Sequence, residues 1–284
     1  MTTALPPRTV LDETGYAALL AMVGRGSVAV LTGAGMSTAS GIPDYRGPDG
    51  RRRVQPMQHG EFLASSGDRR RYWARAYVGW ARFSAARPNS AHRSIARLQQ
   101  TGLVEGLITQ NVDGLHQAGG AAPVLELHGN LARVVCLTCG EGYAREQVHE
   151  WLRQANPGFT ASSGDIRPDG DVVLAEAQVQ RFRLARCLVC GSDVLKPDVV
   201  FFGGSVAKPL VERAFTIVQA ARSLLVLGSS LQVMSGYRFV RRAGALGMPV
   251  AVVTRGATRG DAQATVRLDA LLGDVLPRLV ADLT

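Results

Sequence analysis

Four short runs rich in β-branched residues and leucine punctuate the chain: SVAVLTG (27–33), GLITQN (106–111), SLLVLGSS (223–230) and PVAVVT (249–254). Each ends in glycine or a polar residue. Continuous apolar runs of this length suit strands buried on both faces, as in a parallel sheet. Between them lie stretches with helical spacing, such as PLVERAFTIVQAA (209–221). Strand alternating with helix predicts an α/β fold built on a Rossmann-like, doubly wound parallel sheet. In such sheets ligands sit beyond the carboxyl ends of the strands, which is where these polar residues fall.

The middle of the chain breaks this pattern. From about Arg133 to Lys196 the β-branched runs thin out, and NPGFTASSGDIRPDGD (156–171) is rich in turn formers. That composition predicts an inserted module of about 133–196 with a long loop. The Rossmann-like part then spans about 15–132 and 197–284.

All four cysteines fall in the module, as two C-x-x-C pairs, Cys136/Cys139 and Cys187/Cys190, each followed by glycine. Two thiolates from each turn complete a tetrahedral zinc site, with Zn–S bonds of about 2.3 Å. A redox C-x-x-C would not need a duplicate, and paired disulfides do not suit a reducing compartment. Four sulfur ligands leave no open coordination position, so the metal is expected to be structural, one per chain.

With 284 residues, 46% hydrophobic and 19% charged, the chain can bury a sizeable core. No apolar run is long enough to span a membrane, and the N-terminal stretch lacks the layout of a secretory signal. A cytoplasmic location is therefore expected. The net charge of +9 invites a nucleic-acid reading. The dense runs Arg51–Arg53 and Arg69–Arg71 are short, however, and carry no interleaved aromatic residues. Solvated arginine surface is the plainer reading, and no sequence-specific nucleic-acid partner is expected.

TGAGMSTASGIPDYRG (32–47) starts like a dinucleotide-binding turn, with Gly33 and Gly35 supplying G-x-G, but Thr38 stands where a third glycine belongs. Alone the stretch does not decide between a nucleotide loop and a chance glycine pair. His128, in LELHGN (125–130), is read from its surroundings as either a hydrogen-bonded structural residue or a base. Asp113, after the GLIT run, reads equally as a helix cap.

These stretches, together with TQNVDGLHQAGG (109–120), LGSSLQV (227–233) and the paired C-x-x-C, resemble the sirtuin family of NAD-dependent protein deacylases. The motifs occur in the family's order from about Gly33 to Pro277. QHGEF, RYWARAYVGW, DGDVVL, LKPDVVFFG and SSLQVMSGYRF are similar to class II sirtuins, the group with the mitochondrial lipoamidase-type enzyme of animals. The resemblance implies a single catalytic domain in which the first two glycines let the backbone approach the pyrophosphate of NAD. A mobile cofactor loop then follows, so no third glycine is required.

It also implies roles. His128 becomes the general base, with an ordinary pKa of about 6.5 that suits proton transfer from a ribose hydroxyl. NAD is consumed: the acyl oxygen of a modified lysine attacks the nicotinamide ribose, nicotinamide leaves, and His128 activates a ribose hydroxyl. Free lysine and O-acyl-ADP-ribose result. The implied cofactor contacts are Gly33, Ala34, Gly35, Ser37, Gly41 and Pro43, with Asp44, Tyr45 and Arg46 in the mobile loop. Gln110 is assigned to the ribose, and Asn111, Val112 and Asp113 to the nicotinamide pocket. Gly228, Ser229 and Ser230 suit phosphate or ribose, and Thr254, Arg255, Gly256 and Leu272 complete the set. Acylated-lysine proteins or peptides are the implied partners. A mono-ADP-ribosyltransferase and a non-catalytic NAD-sensing module are the alternatives.

Two departures stand out. Thr254 occupies the place of the usual asparagine at the adenine ribose, and Gly204 that of an acidic residue after Phe-Phe-Gly. Tyr72 and Arg75 mimic the Y-x-x-R of succinyl-specific enzymes, but Arg75 lies too far upstream of Pro88. A gap-free register puts Ala76 and Gly79 at the acyl channel, which predicts a preference for longer neutral acyl groups over acetyl and succinyl.

Overall fold

The structure, a computed structural model, describes residues 11–47, 51–52, 54–161 and 166–284. The first half runs α1 (Glu13–Gly24), β1 (Val28–Thr32), α2 (His59–Ala64), α3 (Ser66–Ser84), α4 (Ser90–Gln100), β2 (Val104–Thr109), α5 (Leu115–Ala118) and β3 (Val124–Glu126). The middle of the chain supplies β4 (Gly129–Cys136), β5 (Gly142–Ala144), α6 (Arg145–Ala155), α7 (Glu176–Arg181) and β6 (Leu195–Val199). The chain then closes with α8 (Lys208–Ala220), β7 (Ser223–Leu227), α9 (Met234–Ala245), β8 (Val250–Val253), β9 (Val266–Leu268) and α10 (Leu272–Leu283).

Six strands form a parallel sheet in the order β3-β2-β1-β7-β8-β9. The uninterrupted apolar runs now have their reason. In β1, Val28 and Val30 enter the core shared with α1, α4 and α10, whereas Ala29 and Leu31 enter the core shared with α8 and α9. Both faces are covered, so alternation with polar residues is absent. The strand order reverses between β1 and β7, and a crevice opens at their carboxyl ends.

A second sheet, β5-β4-β6, is antiparallel throughout. Its core is shared with an earlier segment: Phe62, Tyr72 and Trp73 pack with Val134, Cys136, Val148 and Leu195. Trp73 Nε1 donates to Leu195 O at 2.8 Å. The Arg145 guanidinium is buried between the Trp73 and Trp80 rings, 4.6 Å from each centroid. Helix α3 is thus the bridge from the small sheet to the site. The arginine run serves this bridge: Arg69 pairs with Asp193 at 3.1 Å, and Arg71 pairs with Glu61 and Asp68. In the earlier run Arg52 lies over the Phe202 ring, and Arg53 is outside the described residues, as are the first ten residues.

Two buried histidines sit beneath the crevice. His116 Nε2 donates to Thr32 Oγ1 at 2.9 Å, and its ring meets His92 edge-on with centroids 4.9 Å apart. Burial pushes His92 down to about 4 and His116 to about 3. Above pH 6.5 both are neutral in the folded and unfolded chains alike. Below it the unfolded chain takes up protons that the folded one refuses, so stability falls as pH falls. The expected loss is about 2 kcal/mol per histidine by pH 5. Urea midpoints should drop between pH 7 and pH 5, less steeply in His92→Gln; a flat profile would contradict this origin.

Candidate active site

A cavity of about 730 Å³ opens where β1, β2, β7 and β8 end. Gly33, Ala34, Gly35 and Ser37 form one wall, directly after β1, and Gly228, Ser229 and Ser230 face them after β7. The glycines are demanded by this facing. A Cβ at Gly33 would lie 2.7 Å from Ser229 Cβ, and one at Gly35 would lie 2.9 Å from Gly228 Cα. Gly228 itself has a φ of +60° and its Cβ would meet Met36 N at 2.6 Å. The resemblance implies that Gly33 and Gly35 let the backbone approach a ligand; the structure adds that they let two loops interlock.

Gln110, Asn111, Val112 and Asp113 line the cavity after β2. Asn111 Nδ2 donates to Gly33 O at 3.0 Å and to Ser37 Oγ at 3.1 Å, and among the described residues its Oδ1 has no protein donor. Ser37 Oγ in turn donates to Asp113 Oδ2 at 2.6 Å. Asp113 Oδ1 accepts from Leu115 N at 2.9 Å in a local turn ahead of α5, whose N-cap is Gly114 and not Asp113, while Asp113 lines the cavity. Burial raises its pKa, opposed by the Ser37 and Leu115 hydrogen bonds. Gln110 spends its amide N–H groups on Ser229 Oγ and Thr32 O.

His128 stands between this wall and the opposite one, just past β3. Its Nδ1 is 2.9 Å from Gln110 O, and its Nε2 is 2.8 Å from Ser235 Oγ. A carbonyl only accepts, so Nδ1 carries the proton and Nε2 holds the lone pair. Burial lowers the pKa of the ring, partly offset by the bond to Gln110. The imidazole is therefore neutral at pH 7, with its basic nitrogen oriented. Ser235 had no role in the sequence reading, because its partner lies 107 residues away.

Pro43, Asp44, Tyr45, Arg46, Thr254 and Arg255 also line the cavity. Gly41, Gly256 and Leu272 do not. Gly41, with a φ of +84°, ends the short turn Thr38–Ser40. Gly256 is held against Asp269 by its N–H, 3.2 Å from Oδ1. Leu272 is buried among Leu268, Val275 and Leu276 in the core.

Away from the cavity, the four cysteine sulfurs lie within 4.8 Å of one another. The pairs Cys136–Cys190 and Cys139–Cys187 are each 3.6 Å apart, far beyond a disulfide bond. A tetrahedron with Zn–S bonds of about 2.3 Å has sulfur–sulfur edges of about 3.8 Å, so the set fits zinc.

A family model described as "Sir2 family" matches residues 33–235, from the glycine turn to Ser235. The chain belongs to the Sir2 family. It is 52% identical over 273 residues to "NAD-dependent protein deacetylase 1" of Streptomyces coelicolor, covering 96% of this chain and 90% of that protein. With the mitochondrial "NAD-dependent protein lipoamidase sirtuin-4" of Homo sapiens it shares 46% over 252 residues, 87% of this chain and 80% of the other. The solved complex "Sir2-p53 peptide-NAD+" superposes with a TM-score of 0.73 at 29% identity, covering 93% of this chain and 97% of that one.

In this Sir2 chain the acyl-channel register needs correction. Neither Ala76 nor Gly79 lines the cavity; Tyr72 does, together with Met57, Pro168, Asp169 and Phe201. Gly79 is covered because a Cβ there would lie 2.1 Å from Gly170 O. The loop carrying Asp169 thus docks on α3 through glycine, and Gly170 lies against the Phe83 ring. Counting along the helix could not see this cover, since it comes from a distant loop. Arg75 does not line the cavity, as the sequence reading expected.

Proposed function

We infer that this chain is an NAD-dependent protein lysine deacylase, and the orientation of His128 carries that reading. A neutral imidazole offers Nε2 to a cavity whose other wall is built from glycine turns and hydrogen-bonded polar residues. NAD, when bound, supplies an electrophilic ribose carbon and nicotinamide as leaving group. The chain's own residues fit it. Asn111 Oδ1 is left to accept from a carboxamide, and Asp113 is held beside it by Ser37. The glycine turns after β1 and β7 lie at the carboxyl ends of strands where the strand order reverses, a suitable place for phosphates. Arg46 and Arg255 line the same cavity and bring positive charge. Thr254 has a shorter reach than asparagine, so a weaker grip on the adenine ribose is expected.

His128 then takes a proton at Nε2 from the ribose hydroxyl, and the bond from Nδ1 to Gln110 O steadies the imidazolium that forms. The zinc site shapes the small sheet and takes no part in chemistry. Acylated-lysine peptides are the proposed substrates, with no sequence-specific nucleic acid. Paired C-x-x-C thiolates suit a reducing compartment, which supports a cytoplasmic site of action. Among the described residues no helix is long and apolar enough to cross a membrane.

For the acyl group, the wall of Met57, Tyr72 and Phe201 favours longer neutral chains, lipoyl-type chains included. Asp169 on the same wall disfavours a terminal carboxylate. Nicotinamide release should be measured across acetyl, succinyl and lipoyl versions of one peptide. The expected order is lipoyl above acetyl, with succinyl poorest; a clear succinyl preference would overturn the acyl assignment. No release with any peptide would favour a non-catalytic NAD sensor.

A further inference from the structure

The general base has a partner on its working face. Ser235 Oγ lies 2.8 Å from His128 Nε2, the nitrogen that must accept the substrate's proton, and Ser235 lines the cavity. Because Nδ1 already carries the proton, the serine O–H donates to Nε2 here. The placement is held by one residue on both sides. Gln110 O accepts the hydrogen bond from Nδ1–H, and the Gln110 side chain packs beneath Gly236, where a Cβ would meet Oε1 at 2.5 Å. Glycine after Ser235 lets the first turn of α9 approach this closely. The Gln110 amide cannot swing away freely, since it donates to Ser229 Oγ at 2.9 Å and to Thr32 O at 3.2 Å.

We propose that Ser235 is a positioning residue for deacylation: its hydroxyl caps Nε2 in the free enzyme, yields that face to the ribose hydroxyl, and then accepts from the imidazolium. This rests on the deacylase reading above. The exchange balances. The ribose O–H proton moves to Nε2, nothing leaves the protein, and the serine turns from donor to acceptor, as a hydroxyl can. The new bond is charge-assisted and stronger than the one it replaces, so it lowers the cost of forming the cation. The earlier cleavage that frees nicotinamide needs no base and draws nothing from Ser235.

The test compares wild type, Ser235→Ala and Ser235→Thr in two ways. In the first, diethyl pyrocarbonate modifies the free enzyme and the label on His128 is mapped by mass spectrometry. Losing one neutral hydrogen bond at Nε2 should speed that label about fivefold in Ser235→Ala, and threonine should restore protection. In the second, deacylation of an acyl-lysine peptide is set against nicotinamide–NAD exchange. Deacylation should fall about tenfold in Ser235→Ala while exchange and the KM for NAD hold, with recovery in Ser235→Thr. Unchanged labelling, or equal loss of both reactions, would overturn the proposal and leave the deacylase reading intact. A wild-type enzyme that turns over no acyl peptide would overturn both.

Discussion

His128→Ala is expected to lower deacylation by about 10²–10⁴-fold, while NAD binding and the melting temperature stay close to wild type. In the proposed reaction the imidazole is needed for one proton transfer, after the cofactor has docked. Its removal leaves the Asn111–Ser37–Asp113 network and the glycine interlock in place, because none of those bonds passes through His128. Burial sets the pH profile as well. It lowers the pKa of His128 from its ordinary value of about 6.5. A base works only when unprotonated, so kcat/KM should hold level above pH 6.5 and fall on the acid side of it. The alanine variant should lose this limb. A variant that keeps most of its rate, or a wild-type limb above pH 7, would refute the assignment.

Loss of zinc should have the other large effect, on stability. Cys136 and Cys187 are buried in the core that also holds Tyr72 and Trp73, so a metal held by the four cysteines would tie the turns of the small sheet to α3. Structural zinc in small domains contributes about 10–16 kcal/mol of apparent binding free energy. Replacing any one of Cys136, Cys139, Cys187 or Cys190 by serine should therefore lower solubility and melting temperature first. Activity should follow only as Tyr72 and the Asp169 loop lose their support. Elemental analysis of freshly purified protein should give one zinc per chain. Absence of zinc would contradict the site, and a chelator that leaves the melting temperature unchanged would contradict its structural role.

How much of this was legible in the sequence follows from the range of the interactions. The strands β1, β2, β7 and β8 could be read because burial on both faces writes a continuous apolar run. The three-residue strands β5 and β9 leave no such trace. The cysteine pairs were legible because each turn is local, and the structure brings all four sulfurs together. What escaped was long-range. Helix α3 serves the small sheet through Trp73 and Leu195, which are 122 residues apart. Gly79 looked like open channel, yet a loop carbonyl covers it. Leu272 follows the strands that lead to the cavity, but the chain has by then turned into the core. Ser235 sits in a segment that carried the family resemblance, and only the fold shows its hydroxyl on His128.

Coupling of NAD cleavage to removal of an acyl group from lysine is the central chemistry proposed for this chain. The direct measurement incubates the purified chain with NAD and one lipoyl-lysine peptide and counts all products by mass spectrometry. Free-lysine peptide, nicotinamide and O-acyl-ADP-ribose should appear in equal amounts, with none formed when peptide or NAD is left out. Nicotinamide appearing alongside an unchanged acyl peptide and an ADP-ribose mass gain on protein would contradict the account and mark the chain as an ADP-ribosyltransferase.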